Sequence, residues 1–277
     1  MGLFYSYKTA GSGISKNAKT KNMFVLFFNL YFRKFWNLIK LNLLYSLACI
    51  PIVTIGPATA AFTTVLKKYS MERHSYIWSD FWESFKKNFK QSFVVGIVDL
   101  ILFIGTISAT LVYPKLSETS KLFTVALIIS ISIAVTLIIM NFYIFLMIVS
   151  LELSLKDIIK NAFILTCAAL KENVITLLAV FIVAAAVYAL MFFFNIFFIL
   201  LFALFLSSFC GFLIVFNCYP IIQKYIINPY YEAKGIENPE NEYANVSEDD
   251  AIFKDNPEKE KPGNVPIKTP KSKKIIS

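Results

Sequence analysis

An acid inside an apolar run is the strongest chemical signal in this chain. Asp99 lies in SFVVGIVDLILFIGTISATLVY, a stretch from Ser92 to Tyr113 with no other charge. A carboxylate in lipid is costly, so such a residue is a candidate for coupling to a solute or for a structural pairing. It stands about seven residues into its segment, roughly 10 Å deep at 1.5 Å per residue, where hydration or a lysine can still reach it. Two amides in later apolar runs, Asn141 and Asn217, have the chemistry to hydrogen-bond between helices. A second kind of candidate is a backbone break. In Cys49-Ile-Pro-Ile-Val-Thr-Ile-Gly-Pro57, Pro51 and Pro57 bracket Thr54 and Gly56, a combination that stops helices or turns chains. Broken helices can form transport sites, and a plain structural turn uses the same residues.

Other chemistry is sparse. His74, the sole histidine, stands in a basic loop, and there is no HExxH, GxSxG or GxxxxGK[ST] pattern. Cys49, Cys167, Cys210 and Cys218 all lie in or beside apolar stretches and form no CxxC pair, so neither a disulfide framework nor a zinc site is expected. The sequence thus predicts no metal, no cofactor and no enzyme chemistry.

The elements that must position these residues follow from composition. Of 277 residues, 57% are hydrophobic and 16% charged, and the mean hydropathy is +0.63. Soluble domains carry roughly 25% charge, so the chain reads as an all-α, polytopic membrane protein. A span needs roughly 20 apolar residues to cross about 30 Å. Ser92 to Tyr113 is one such run, closed by Pro114, and Leu122 to Leu151 is a second that must tilt or project. Val174 to Ile222 is too long for one crossing and must fold back, with Asn195 as the polar midpoint. Phe24 to Ile50 and Thr54 to Lys68 flank the proline–glycine break, the latter short enough to be re-entrant.

Charge orders these segments. The 27 Lys and Arg residues of the net +9 chain cluster before Leu41, between Lys67 and Lys90, between Glu152 and Lys171, and from Lys224 onward. Only Lys115 and Lys121 interrupt the series. Counting the break as a turn gives about six transmembrane helices, with both termini and every large basic cluster cytoplasmic, as the positive-inside rule requires. The positive charge is accordingly topological, and no nucleic-acid partner is expected.

Two cytoplasmic amphipathic helices are predicted. In the first, Trp78, Phe81, Trp82, Phe85 and Phe89 share one face and Lys86, Lys87 and Lys90 the other, with Ser79 or Asp80 as N-cap. This reads as an interfacial helix that meets anionic lipid, or as a docking element for a cytoplasmic partner. The second opens on the capping box Ser154–Asp157 and carries apolar residues from Leu155 to Thr166. Each ends in Lys-x-Asn, at Lys86–Asn88 and Lys171–Asn173, before a span, which suggests an internal duplication. Residues 1–22 read as a mobile basic N-terminus, 23–227 as the helical membrane domain, and 228–277, rich in charge and proline, as a disordered cytoplasmic tail.

The segment Phe32-Arg-Lys-Phe-Trp-Asn-Leu-Ile-Lys-Leu-Asn-Leu-Leu44, the run Ile50-Pro-Ile-Val-Thr-Ile-Gly-Pro-Ala-Thr-Ala-Ala61, and Trp78-Ser-Asp-Phe-Trp82 with Phe85-Lys-Lys-Asn-Phe89 closely resemble the YesL-like family. These are small integral membrane proteins of Gram-positive bacteria with no assigned function. The resemblance runs from about Phe24 to Ile226, is strongest before Gly96 and excludes the tail. It implies a multi-pass protein of the bacterial plasma membrane acting as an accessory or regulatory component in carbohydrate uptake, with carbohydrate ABC transporter components as partners. It brings no catalytic residues. The alternative is an autonomous small-solute transporter or channel, with its site at Pro51–Pro57 and Asp99 as the coupling acid.

Overall fold

The computed structural model describes residues 23–117, 120–193, 196–236 and 238, and their side chains outside 190–204. All regular structure among them is helical: α1 (Met23–Arg33), α2 (Phe35–Ala48), α3 (Ile55–Ser70), α4 (Ile77–Lys87), α5 (Phe89–Ser117), α6 (Lys121–Ser150), α7 (Leu155–Ala168), α8 (Leu170–Phe193), α9 (Ile196–Ile222) and α10 (Asn228–Lys234). Among the described residues, four helical stretches are long and apolar enough to cross a membrane: Phe89–Leu116, Lys121–Ser150, Leu170–Ala189 and Phe205–Lys234. This supports a polytopic membrane protein but falls two short of the six spans expected. The deficit lies in the first third, where α2 has 14 residues and α3 has 16, each below the roughly 20 that a crossing needs.

The short helix α3 is the hub. It buries residues around its whole circumference, among them Gly56, Pro57, Ala58, Ala61, Phe62, Val65, Leu66 and Tyr69, and packs against α2, α4, α5, α6 and α9. Small residues at its start permit the closest approach. A Cβ on Gly56 would stand 2.1 Å from the Ser92 carbonyl oxygen, and one on Gly96 would stand 2.8 Å from the Gly56 Cα. The other end of α3 meets the last turn of α6, where Lys67 Nζ donates to Ser150 Oγ at 3.1 Å. Ser92 and Ser150 occupy the same end of the antiparallel α5–α6 pair, since Gln91 Nε2 donates to the Leu153 carbonyl at 3.0 Å. Both ends of α3 therefore sit at one end of that pair, and α3 crosses it instead of running along it.

α2 returns against α3. Tyr45 stacks on Phe62 at 4.5 Å near the turn, while at the other end Arg33 and Glu72 form a 2.7 Å ion pair and Lys34 lies over the Tyr69 ring. The turn itself is a single 3₁₀ turn over Ile52–Thr54. α1 lays Phe27 and Tyr31 on Phe209 and Phe212 of α9.

α4 and α7 are each joined to the following long helix by one residue, Asn88 and Ala169. Each joint residue is bonded to both helices: the Asn88 amide donates to the Ser84 carbonyl at 2.9 Å and its carbonyl accepts from the Ser92 amide at 3.0 Å, while the Ala169 amide donates to the Leu165 carbonyl at 3.1 Å and its carbonyl accepts from the Asn173 amide at 2.9 Å. Four buried positions recur at equal intervals: Phe81, Ser84, Ser92 and Val95 in the first unit, Ala162, Leu165, Asn173 and Thr176 in the second. A repeated architecture is thus present in a different register from the Lys-x-Asn match. Asn88 aligns with Ala169, and Ser92 aligns with Asn173.

Several sequence expectations change. α5 continues through Pro114 to Ser117, because a proline near a helix end forfeits only one late hydrogen bond. α4 begins at Ile77 after Tyr76, and Asp80 caps it from inside, accepting from the Tyr76 amide at 3.1 Å and the Ser75 hydroxyl at 2.6 Å. The Ser154 cap on α7 forms as expected, accepting from the Asp157 amide at 3.3 Å. The start of the expected tail is helical: α9 passes through a π-helical turn at Gln223–Ile227 into α10. Pro229 at the first turn suits a helix start, and Gly235, at φ +65°, ends it. The hairpin residue Asn195, residues 1–22 and the tail from 239 onward lie outside the described residues.

Candidate functional site

A polar cavity of about 630 Å3 opens where α3, α4, the start of α5 and the end of α6 converge. α3 supplies Thr64 and Lys68, α4 supplies Asp80, Glu83, Ser84 and Lys87, and the α6–α7 junction supplies Ile148 to Leu153. Hydroxyls and amides form its floor. Thr64 Oγ1 and Ser84 Oγ are 2.6 Å apart, and Asn88 Nδ2 donates to Ser84 Oγ at 3.1 Å. The charged side chains Glu83, Lys87 and Glu152 are exposed at its rim. Such a lining suits a polar ligand or a polar loop of another protein, since charged, hydroxyl and amide groups converge here around open space.

The wall is fixed by an ion pair. Lys68 Nζ lies 2.8 Å from Asp80 Oδ2, with the Asp80 side chain 13% exposed. Burial works to raise the Asp80 carboxyl. The hydrogen bonds of Lys68 and Ser75, the Lys68 charge and the Tyr76 amide overcome it and hold the group below the usual carboxylate range. A carboxyl depressed in the folded state stabilises above its unfolded pKa, and that stability is lost as pH falls through the folded value. The melting temperature of the wild-type protein should then hold its Asp80 contribution from pH 8 to pH 5 and lose it below about pH 4. Asp80→Asn should remove about 1–2 kcal/mol at pH 7 and flatten that acid limb, readable by thermal unfolding in detergent. An unchanged acid limb in Asp80→Asn would mean that the pair does not hold α4 on α3.

The residues singled out from sequence fall in different places. Asp99 is half-buried on α5 and accepts from Asn141 Nδ2 of α6 at 3.3 Å, while the same amide donates to the Leu137 carbonyl at 3.1 Å. Asn217 donates to Thr176 Oγ1 at 3.2 Å, tying α9 to α8. Asp99 stands one helical turn beyond Gly96, which touches Gly56 of the break, and its side chain is engaged by Asn141. Pro51 is exposed and Thr54 half-buried, with Thr54 Oγ1 in hydrogen-bond reach of the Ala48 and Pro51 carbonyls at 2.6 and 2.7 Å. Gly56 and Pro57 are buried in the crossing with α5. On α4, Phe81 and Ser84 are buried, and Trp82 and Phe85 pack half-buried on the same core. Much of the face expected among lipid headgroups is therefore closed by protein. Trp78 stays 69% exposed, as do Lys86, Lys87 and Lys90.

Three functional side chains carry little or no signal in the sequence. Glu83 and Glu152 reach the cavity from elements far apart in the chain, a meeting no local pattern signals. Asn173, noticed only as part of Lys-x-Asn, is fully buried, accepts from the Tyr143 hydroxyl at 2.5 Å and donates to the Leu165 and Thr166 carbonyls. An amide immediately preceding an apolar run was the available signal.

Fold and site together define a polytopic helical membrane protein with a polar cavity at its basic end. Residues 38–109 match a family described as a protein of unknown function, DUF624. The match runs from α2 into α5 and so takes in α3, α4 and the Gly56–Gly96 crossing. No curated protein and no solved structure matches the chain.

Proposed function

We propose that the protein is an accessory or regulatory component of the bacterial plasma membrane, linked to carbohydrate uptake and working through its cytoplasmic face. The observation that carries this reading is the cavity. Its charged and amide groups gather at the end of the bundle that holds α4, α7 and most of the described lysines. Positive-inside logic assigns that end to the cytoplasm. Polar residues along the long helices, by contrast, pair with each other. The link to carbohydrate uptake rests on the YesL-like resemblance, with which the family match is consistent. Exposed Trp78, Lys86, Lys87 and Lys90 suit anionic headgroups at the same face. The transporter alternative draws less support, because Gly56 is filled by α5 backbone and Asp99 faces Asn141.

Affinity purification at native expression in mild detergent tests the proposal. Components of a carbohydrate ABC transporter should be recovered with the wild-type chain and lost with Glu83→Lys combined with Glu152→Lys, which reverses the rim charge. Recovery of the protein alone would overturn it.

A further inference from the structure

We propose that α2 and α3 form a re-entrant wedge, entering and leaving the bilayer from the cytoplasmic side, with the turn at Cys49–Thr54 seated among the acyl chains of that one leaflet. The inference uses only the membrane reading and is independent of any link to carbohydrate.

Length and placement agree on it. At 1.5 Å per residue α2 is about 21 Å long and α3 about 24 Å, against roughly 30 Å of hydrocarbon. A hairpin spanning beside α5 and α6 would place its turn near their far ends, at Ser117 and Lys121. Instead Gly56 rests on Ser92 and Gly96, within the first turns of α5, while Lys67 reaches Ser150, the last residue of α6.

The outer surface fits lipid. Trp36, Leu43 and Leu47 make an exposed stripe along α2, which continues into Ile50, Ile52 and Val53 at the turn, the last three 73%, 64% and 56% exposed. These six apolar side chains are left bare by the fold, and the turn that carries the last of them packs against α5, whose Val94, Ile97 and Val98 are exposed as well. Lys40 is exposed on the same stripe. Its ammonium must reach headgroups, which a shallow helix allows by snorkelling and a deep one does not. Irregular backbone at acyl depth needs its polar groups satisfied. Thr54 Oγ1 approaches both the Ala48 and Pro51 carbonyls, and the Cys49 amide donates to the Tyr45 carbonyl. A wedge returns to the side it left, as two full spans would, so the basic residues keep their distribution and charge alone does not separate the two arrangements.

Two measurements do. In a full-length chain with Cys49, Cys167, Cys210 and Cys218 replaced by serine, single Ile52→Cys and Leu116→Cys variants are exposed in intact cells to a membrane-impermeant maleimide. Leu116→Cys should label and Ile52→Cys should not. Labelling of Ile52→Cys at the rate of Leu116→Cys would overturn the wedge. The otherwise native chain supplies the second readout, in bilayers containing phospholipids with a photoreactive group either beside the headgroup or at the acyl terminus. The peptide bearing Ile50–Val53 should crosslink mainly to the acyl-terminal probe. Crosslinking mainly to the headgroup-proximal probe places the turn at an interface and overturns the proposal.

Discussion

Gly56→Ala is expected to destabilise the protein by about 3 kcal/mol, the upper range for forcing one methyl into a closed contact. The added Cβ would lie 2.1 Å from the Ser92 oxygen, 2.9 Å from its carbonyl carbon and 3.1 Å from the Gly96 Cα. All three are backbone atoms of a helix, so no side chain can swing aside and α3 must lift off α5. Because α3 also carries contacts to α2, α4, α6 and α9, the displacement spreads through the core. Two other glycines calibrate the effect. Gly211→Ala would meet Phe62 Cε1 at 2.7 Å and Leu66 Cδ1 at 2.9 Å, side-chain atoms that can shift, and should cost about 1 kcal/mol. Gly105→Ala meets nothing within 4 Å and should be neutral or stabilising by up to about 1 kcal/mol through helix propensity. Thermal or SDS-induced unfolding of the three purified variants ranks them. A wild-type melting temperature for Gly56→Ala would show that α3 and α5 do not cross this closely.

The second large effect is expected at Asn173. Asn173→Ala deletes the acceptor of the Tyr143 hydroxyl and the donors to the Leu165 and Thr166 carbonyls, all in a fully buried setting. Buried polar groups left without partners cost about 1–3 kcal/mol each, and relaxation into the vacated space recovers part of that, for a net loss of about 3 kcal/mol. Tyr143→Phe leaves Asn173 its two donor bonds and should cost about 1 kcal/mol. The double variant should then be less destabilised than the sum of the two, since the residues share a bond. Strict additivity in unfolding free energy would mean that α6 and α8 are not coupled through this pair.

The long helices were legible because hydropathy is a property of consecutive residues. α5, α6 and the α8–α9 pair fall where apolar runs of sufficient length occur, and the Ser154 cap follows from a four-residue pattern. For α3 the run was legible as short, and its course was not. Its apolar run carries no mark of direction, and what turns it across α5 is Gly96, a residue in a different run that looks like an ordinary helix glycine until Gly56 is placed on it. Phe81, Trp82 and Phe85 were legible only through the amphipathic pattern of α4, which cannot tell a face turned to headgroups from one closed by another helix. Asp99 and Asn141 were each recognised as polar residues in apolar runs, and their pairing needed the α5–α6 register. The cavity had no local signature, since its carboxylates belong to α4 and to the α6–α7 junction.

The one-residue joints at Asn88 and Ala169 have a mechanical consequence. A flexible linker would let α4 or α7 swivel without disturbing the helix that follows, whereas a single residue whose amide is bonded to one helix and whose carbonyl is bonded to the next couples the two. Anything that presses on α4, whether a bound partner or a change in lipid packing, therefore levers on the first turns of α5, where the fulcrum is the contact with Gly56.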